Sequence, residues 1–119
     1  MISTASNVAV GLIALLHLYI LILEMFLWDK PPGLRAFGLT PDFARATRAL
    51  AANQGLYNGF LAAGLIWGLF LGPGGADVRM FFSGCVLVAG VFGGLTASRK
   101  ILWIQAAPAA VTLVLLALA

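Results

Sequence analysis

An apolar run over residues 7–28 limits what this chain can fold into more than any other part of its sequence. A helix needs about 20 mostly apolar residues to cross the hydrocarbon of a bilayer. Such a helix also satisfies its backbone hydrogen bonds internally, as lipid requires. Two ionisable side chains, His17 and Glu24, are set into the run. The sequence therefore predicts a membrane-spanning helix whose polar groups need an explanation.

The composition of the whole chain agrees with a membrane location. Of its 119 residues 62% are hydrophobic and 9% are charged, whereas soluble domains carry about 25% charged residues. The net charge of +3 comes from basic residues beside the apolar runs, where they are typical of membrane topology. We therefore expect the lipid bilayer as a partner and no nucleic acid.

Four apolar stretches predict four membrane spans. They cover residues 7–28, 49–71, 78–97 and 101–119, and an interfacial cytoplasmic loop covers residues 29–48. The other connections are short, so neighbouring helices are expected to be antiparallel. The predicted fold is all-α, a single domain over residues 1–119 that forms an integral membrane four-helix up-and-down bundle.

The basic residues also predict the orientation of this bundle. Six of the seven lie on one side, in or beside the loops after spans one and three: Lys30, Arg35, Arg45, Arg48, Arg99 and Lys100. The other side holds Arg79 alone. Because cytoplasmic loops carry the excess of Lys and Arg, both termini are expected on the non-cytoplasmic side. The protein is expected to be a multi-pass protein of the inner (plasma) membrane.

Two local signals stand within the loop over residues 29–48. Pro31 and Pro32 stop the first helix, since proline cannot continue one. Thr40, Pro41 and Asp42 then predict a helix start, with Thr40 as the N-cap, proline in the first position and a carboxylate at the positive end of the helix dipole.

The two ionisable side chains of the first span are expected on one face of their helix. His17 and Glu24 are seven residues apart, which is nearly two full turns at about 100° per residue. A charged carboxylate within a span costs about 3 kcal/mol on insertion scales. Glu24 is therefore expected to meet polar groups of other helices.

The second span supplies such groups in two adjacent rows. Asn53 and Tyr57 are four residues apart, as are Gln54 and Asn58, so each pair lies on one side of the helix. Gly55 and Gly59 fall on another side, in a Gly-x3-Gly pattern that allows close helix packing. That pattern leaves a homo-oligomer open, with a second copy packed on the glycine face.

Small residues dominate the other half of the predicted bundle. They are Gly64, Gly68 and Gly72 after the polar rows, and Gly84, Gly90 and Gly94 in the third span. Such spacing lets helix backbones touch. Gln105 in the fourth span is about as deep as Glu24, roughly 6 Å from the cytoplasmic end at about 1.5 Å per residue. We therefore expect a polar cup that opens to the cytoplasm and is sealed outside by glycine packing.

The chain also resembles a known family. The resemblance is carried by His17 and Tyr19, residues 24–28, Phe37-Gly38-Leu39-Thr40-Pro41, Asn53-Gln54-Gly55-Leu56-Tyr57-Asn58-Gly59, and Gln105 with Pro108. These residues are similar to those of the domain-of-unknown-function family numbered thirteen-oh-four, which comprises small bacterial and fungal four-span proteins. The resemblance covers nearly the whole chain and implies the four-span fold, but it implies no activity.

The polar cup suggests binding of a small lipophilic molecule, with acid–base chemistry of the isomerase or hydratase kind. The candidate catalytic residues are His17, Glu24 and Tyr57, and the candidate ligand-binding residues are Asn53, Gln54, Asn58 and Gln105. Tyr57 and the amides are the groups expected to orient the molecule or to stabilise an oxyanion.

Other interpretations stay open. Glu24 could serve a proton-coupled transporter, although that function needs a site near the midplane with access from both sides. The chain could instead be a structural or assembly subunit, in which His17 is a packing residue and Glu24 pairs with a nearby cation. No cofactor is predicted. The ligands fall short of a zinc site, and a single axial histidine for haem is allowed only by residue count.

Overall fold

The computed structural model describes residues 1–119 and is helical throughout, with no strand. Its helices are α1 (Ile2–Phe26), α2 (Pro31–Phe37), α3 (Pro41–Ala46), α4 (Arg48–Phe70), a 3₁₀ turn (Gly72–Gly75), α5 (Ala76–Thr96), a π-helix (Leu102–Ala106) and α6 (Ala107–Leu118). The predicted all-α class is confirmed.

Two helical stretches are long and apolar enough to cross a bilayer. They are Ile2–Phe26 and Gly72–Thr96, each 25 residues long. The stretch Leu102–Leu118 is apolar but shorter. Helix α4 has 23 residues, but the amides of Asn53, Gln54 and Asn58 make its first half polar. Length and composition thus give two candidate spans, and the four-span bundle stays a prediction.

The segment between α1 and α4 contains two short helices. Helix α1 ends at Phe26, before the two prolines, and Pro31 then begins α2. Proline suits that position because the first turn of a helix needs no N–H donor. Gly38, with φ of 64°, ends α2 in the left-handed conformation that glycine adopts without strain.

The predicted helix start at Thr40 is confirmed. The Thr40 side chain accepts a hydrogen bond of 3.2 Å from the backbone N–H of Phe43, and Pro41 is the first residue of α3. Helix α3 ends at Ala46, and α4 starts at Arg48, so Thr47 separates the two. The Thr47 hydroxyl accepts from the Trp28 indole N–H at 3.0 Å and donates to the Phe43 carbonyl at 2.7 Å.

The chain forms two compact units. The terminal unit contains residues 1–15 and 61–119, and the central unit contains residues 16–60. The core of the terminal unit consists of buried apolar residues from α1, α4, α5 and α6: Val10, Ile13, Ala14, Leu65, Val86 and Ala109. The expected single domain over residues 1–119 stays a prediction.

The π-helix of the terminal unit ends just before Pro108, which has no backbone N–H to donate. The backbone N–H of Ala107 bonds to the carbonyl of Leu102, five residues back. In this segment Ala106 lies against α5, where a Cβ on Gly90 would come within 2.9 Å of the Ala106 nitrogen. Two helix backbones therefore touch at a glycine, as the spacing of small residues predicts.

Candidate functional site

The end of α1 and the start of α4 pack together in the central unit. A Cβ on Gly55 would lie 2.6 Å from Met25 Cγ, and a Cβ on Gly59 would lie 2.7 Å from Leu21 Cδ1. As the numbers rise along α4 they fall along α1, so the two segments are antiparallel. The Gly-x3-Gly face is therefore filled by α1 of the same chain, which leaves no room there for a second copy.

The structure brings Glu24 and Asn58 together across these two segments. Asn58 Nδ2 donates to Glu24 Oε1 at 2.6 Å and lies 3.2 Å from the carbonyl oxygen of Gln54. Glu24 is half-buried. Asn58 reaches it because it lies about 60° around α4 from Gly55, at about 100° per residue, beside the face that contacts α1.

Glu24 takes part in no ion pair. The ion pairs of the chain are Arg45–Asp42 and Arg48–Asp29, the second at 3.9 Å. The alternative in which Glu24 pairs with a nearby cation is therefore corrected, since its partner is a neutral amide.

His17 lies in the same unit and is fully buried, with 0% of its surface exposed. Seven residues separate it from Glu24 on α1, which is about 10 Å along the helix at about 1.5 Å per residue. The two side chains therefore act on one substrate only if it extends along the helix between them. Burial also fits the packing role that the sequence left open.

Asn53 and Tyr57 do not join this pair. Each lies two residues from Gly55, which is about 200° around the helix, and both side chains are exposed. Tyr57 is 56% exposed. We expected both polar rows of α4 to face Glu24. For the row of Asn53 and Tyr57 this is wrong, because α1 packs against the glycine face and these two side chains point away from it.

The remaining two amides have different surroundings. The Gln54 side chain is exposed, and only its backbone carbonyl meets Asn58. Gln105 belongs to the terminal unit, where its Nε2 donates to the Val86 carbonyl at 3.1 Å. It therefore ties the π-helix to α5, a role that the sequence does not predict.

The terminal unit buries polar side chains where only glycine packing was expected. Ser6, Arg79, Ser83 and Thr112 are at most 8% exposed. Arg79 Nη1 donates to the carbonyls of Gly68 at 2.5 Å and Gly72 at 2.8 Å, at the end of α4. A cation is favourable there because the last carbonyls of a helix carry partial negative charge. The signal in the sequence is an arginine soon after a Gly-Pro-Gly-Gly helix break.

Three surface grooves are lined by residues of the terminal unit. One of about 710 Å³ runs along α5 from Met80 to Phe92, and one of about 350 Å³ lies between α1 and the π-helix and α6. A third, of about 410 Å³, lies at the end of α5. Glu24 and Asn58 line none of the three. The polar cup stays a prediction, and the contact observed among its residues is the hydrogen bond between Glu24 and Asn58.

No group of three or more His, Cys, Asp or Glu side chains is placed to hold a metal ion. The chain has one histidine and one cysteine.

Comparison with known proteins identifies a family and a relative. Residues 11–117 match the family described as "Protein of unknown function (DUF1304)". The family is DUF1304, and the designation expected from the sequence is corrected accordingly. A protein described as "Uncharacterized protein YpaA", from Lactococcus lactis subsp. lactis (strain IL1403), is 32% identical over 106 residues, 87% of this chain and 88% of the relative. No solved structure matches the chain.

Proposed function

We propose that this chain, which belongs to the family of proteins of unknown function designated DUF1304, binds a small lipophilic molecule. The binding site is at Glu24 and Asn58, within the inner membrane. Four spans, over residues 7–28, 49–71, 78–97 and 101–119, form an up-and-down bundle with both termini on the non-cytoplasmic side. The two long apolar helices and the basic residues beside them support this placement.

The hydrogen bond between Glu24 and Asn58 carries the proposal. A carboxylate within a span is rare and marks a functional site by default. Here it bonds to a neutral amide at 2.6 Å and not to a cation. A carboxylate accepts hydrogen bonds, and an amide both donates and accepts them. The molecule that fits is therefore an apolar one that carries a hydroxyl or amino group.

The proposed chemistry involves fewer residues than the sequence predicts. Glu24 is the group that exchanges a proton with the bound molecule, and Asn58 orients both. His17 acts as a second acid or base only on a molecule long enough to reach it, about 10 Å along α1. Tyr57 has no part in this site because its side chain is exposed on the far side of α4.

Replacing Glu24 by glutamine is expected to deplete the bound molecule about tenfold or more, since a hydrogen bond to a charged group contributes about 1.5–3 kcal/mol. The probe is the set of lipophilic molecules that co-purify with the protein in mild detergent, extracted into solvent and measured by mass spectrometry. Asn58→Leu should give the same loss. Tyr19→Phe, at an exposed position of the same helix, is the matched control and should retain the molecule.

Equal amounts of every extracted compound in the wild type, Glu24→Gln and Asn58→Leu would contradict this proposal. Circular dichroism of each variant establishes that the helices are intact, so that a loss of bound molecule reports on the site.

Proton-coupled transport is the second candidate, and the polar residues of the terminal unit favour it. Ser6, Arg79, Ser83 and Thr112 are buried there, whereas the sequence predicts only small apolar packing in that half. A transporter needs a site near the midplane that can be reached from both sides in turn, and buried polar side chains in a second region of the chain are compatible with such a path. The carboxylate of Glu24, which bonds to Asn58 and to no cation, is then the proton carrier.

Transport is tested in liposomes that contain the protein and an internal pH-sensitive dye. Tetraphenylphosphonium, a lipophilic cation, is added outside. Proton movement that requires this cation and is lost in Glu24→Gln supports transport. A flat dye signal with wild-type protein, alongside co-purified lipophile that depends on Glu24, favours binding without transport.

A further inference from the structure

The face of α4 that turns away from α1 has a regular pattern of exposed side chains. It contains Ala49, Asn53, Leu56 and Phe60, all exposed, and we name these four residues the α4 stripe. Their spacing of four, three and four residues is that of the a and d positions of a heptad, which form the seam between two packed helices. One of the four, Asn53, is polar.

We propose that two copies of the chain pair through the α4 stripe, with Asn53 of each copy hydrogen-bonded to Asn53 of the other. This inference rests on the membrane placement given under Proposed function, but not on the Glu24 site. Leu56 and Phe60, which are 43% and 54% exposed, form the apolar part of the same seam.

The charge distribution fixes the direction in which two copies meet. Six basic residues lie on one side of the predicted spans and one on the other, so every copy has the same orientation in the membrane. Two α4 helices are therefore parallel, related by a two-fold axis along the membrane normal. Each residue of the stripe then lies at the same depth as its counterpart.

Equal depth makes Asn53 its own partner. An asparagine side chain has an N–H₂ donor and a carbonyl acceptor, so two of them can form two mutual hydrogen bonds across a two-fold axis. In lipid the amide otherwise lacks a partner, and amides are known to hold membrane helices together. A single asparagine at an a position also fixes the register of a helix pair.

Two further observations concern the α4 stripe: an aromatic pair beside it, and the glycine contacts on the opposite face of α4. Tyr57 and Phe60 form an edge-to-face pair with ring centroids 5.7 Å apart, which gives the flank of the stripe a fixed shape. Gly55 and Gly59 contact α1 within the chain, so the glycine face of α4 is occupied. The α4 stripe is the exposed face on the other side of the same helix.

Disulfide cross-linking in native membranes tests the pairing. Leu56→Cys is made in a Cys85→Ala background, because Cys85 is the natural cysteine of the chain. Copper phenanthroline should convert most of this variant into a disulfide-linked dimer. Ile22→Cys, on the exposed side of α1 in the same unit, is the matched control and should cross-link at least tenfold less.

Asn53→Leu tests the amide pair. Two interhelical hydrogen bonds at about 0.6 kcal/mol each predict that dimerisation weakens by about 5- to 10-fold. The readout is energy transfer between labelled copies in phosphatidylcholine and phosphatidylglycerol vesicles, measured over a range of protein-to-lipid ratios. Asn53→Gln keeps an amide and should restore part of the affinity.

Equal cross-linking at positions 56 and 22 would overturn the proposal, since it indicates random collision. So would an absence of energy transfer at every ratio, or unchanged dimerisation of Asn53→Leu, which removes the amide pair. If Asn53→Leu does not fold, the cross-linking at position 56 decides alone. Glu24→Gln should leave the dimer intact, so loss of the lipophile site and loss of the dimer are separate outcomes.

Discussion

Replacing Arg79 by methionine is expected to destabilise the protein by about 3 kcal/mol, because two hydrogen bonds from a charged donor are lost at once. Arg79 is 8% exposed, and its Nη1 donates to the carbonyls of Gly68 and Gly72. Without the arginine these carbonyls at the end of α4 lack a donor and a compensating positive charge. Methionine keeps most of the side-chain volume, so the loss reports on the hydrogen bonds.

The measurement is thermal unfolding in mild detergent followed by circular dichroism at 222 nm. A loss of this size corresponds to a fall of roughly 10 °C or more in the melting temperature of a domain of about 100 residues. Arg35→Met is the matched control, since Arg35 is exposed and forms no ion pair. It should change the melting temperature by about 2 °C or less. Equal melting temperatures for the two variants would contradict the structural role of Arg79.

Replacing Gly90 by leucine is expected to cost about 3 kcal/mol, through a clash between helix backbones. A Cβ at this position would lie 2.9 Å from the Ala106 nitrogen and 3.0 Å from its Cα. These are backbone atoms, so no side-chain rotation relieves the contact, and the π-helix must move away from α5. Overpacking of this kind costs about 1–3 kcal/mol, and leucine adds three more carbon atoms beyond the Cβ.

Gly84 provides a matched control for Gly90 on the same helix. A Cβ at Gly84 would meet nothing within 4 Å, and leucine is a better helix former than glycine by about 0.8 kcal/mol. Gly84→Leu should therefore leave the melting temperature unchanged or raise it, whereas Gly90→Leu should lower it. Gly90→Leu should also disturb the Gln105–Val86 hydrogen bond, since Gln105 precedes Ala106. If the two variants have equal melting temperatures, close packing at Gly90 is not what holds α5 to the π-helix.

Several features follow from the sequence because they depend on neighbours along the chain. Apolar runs, proline and glycine predict where helices lie and where they break. The Thr40 cap is local in the same sense, since its hydroxyl bonds to a backbone N–H three residues away. The spacing on α4 also predicts that Gly55 faces away from Asn53 and Tyr57, because the angle between residues of one helix is fixed at about 100° per residue.

Other features depend on how the helices are rotated against one another, which spacing along one chain does not fix. Only the tertiary structure decides that α1 packs on the glycine face, so that Asn58 meets Glu24 and Tyr57 is exposed. From its position in the sequence, Arg79 is expected only to help set the membrane orientation. Its hydrogen bonds to the last carbonyls of α4 are decided by packing. The physical reason is the same in both cases. The sequence determines how side chains are spaced around one helix, whereas the packing between helices determines which of its faces contacts a neighbouring helix.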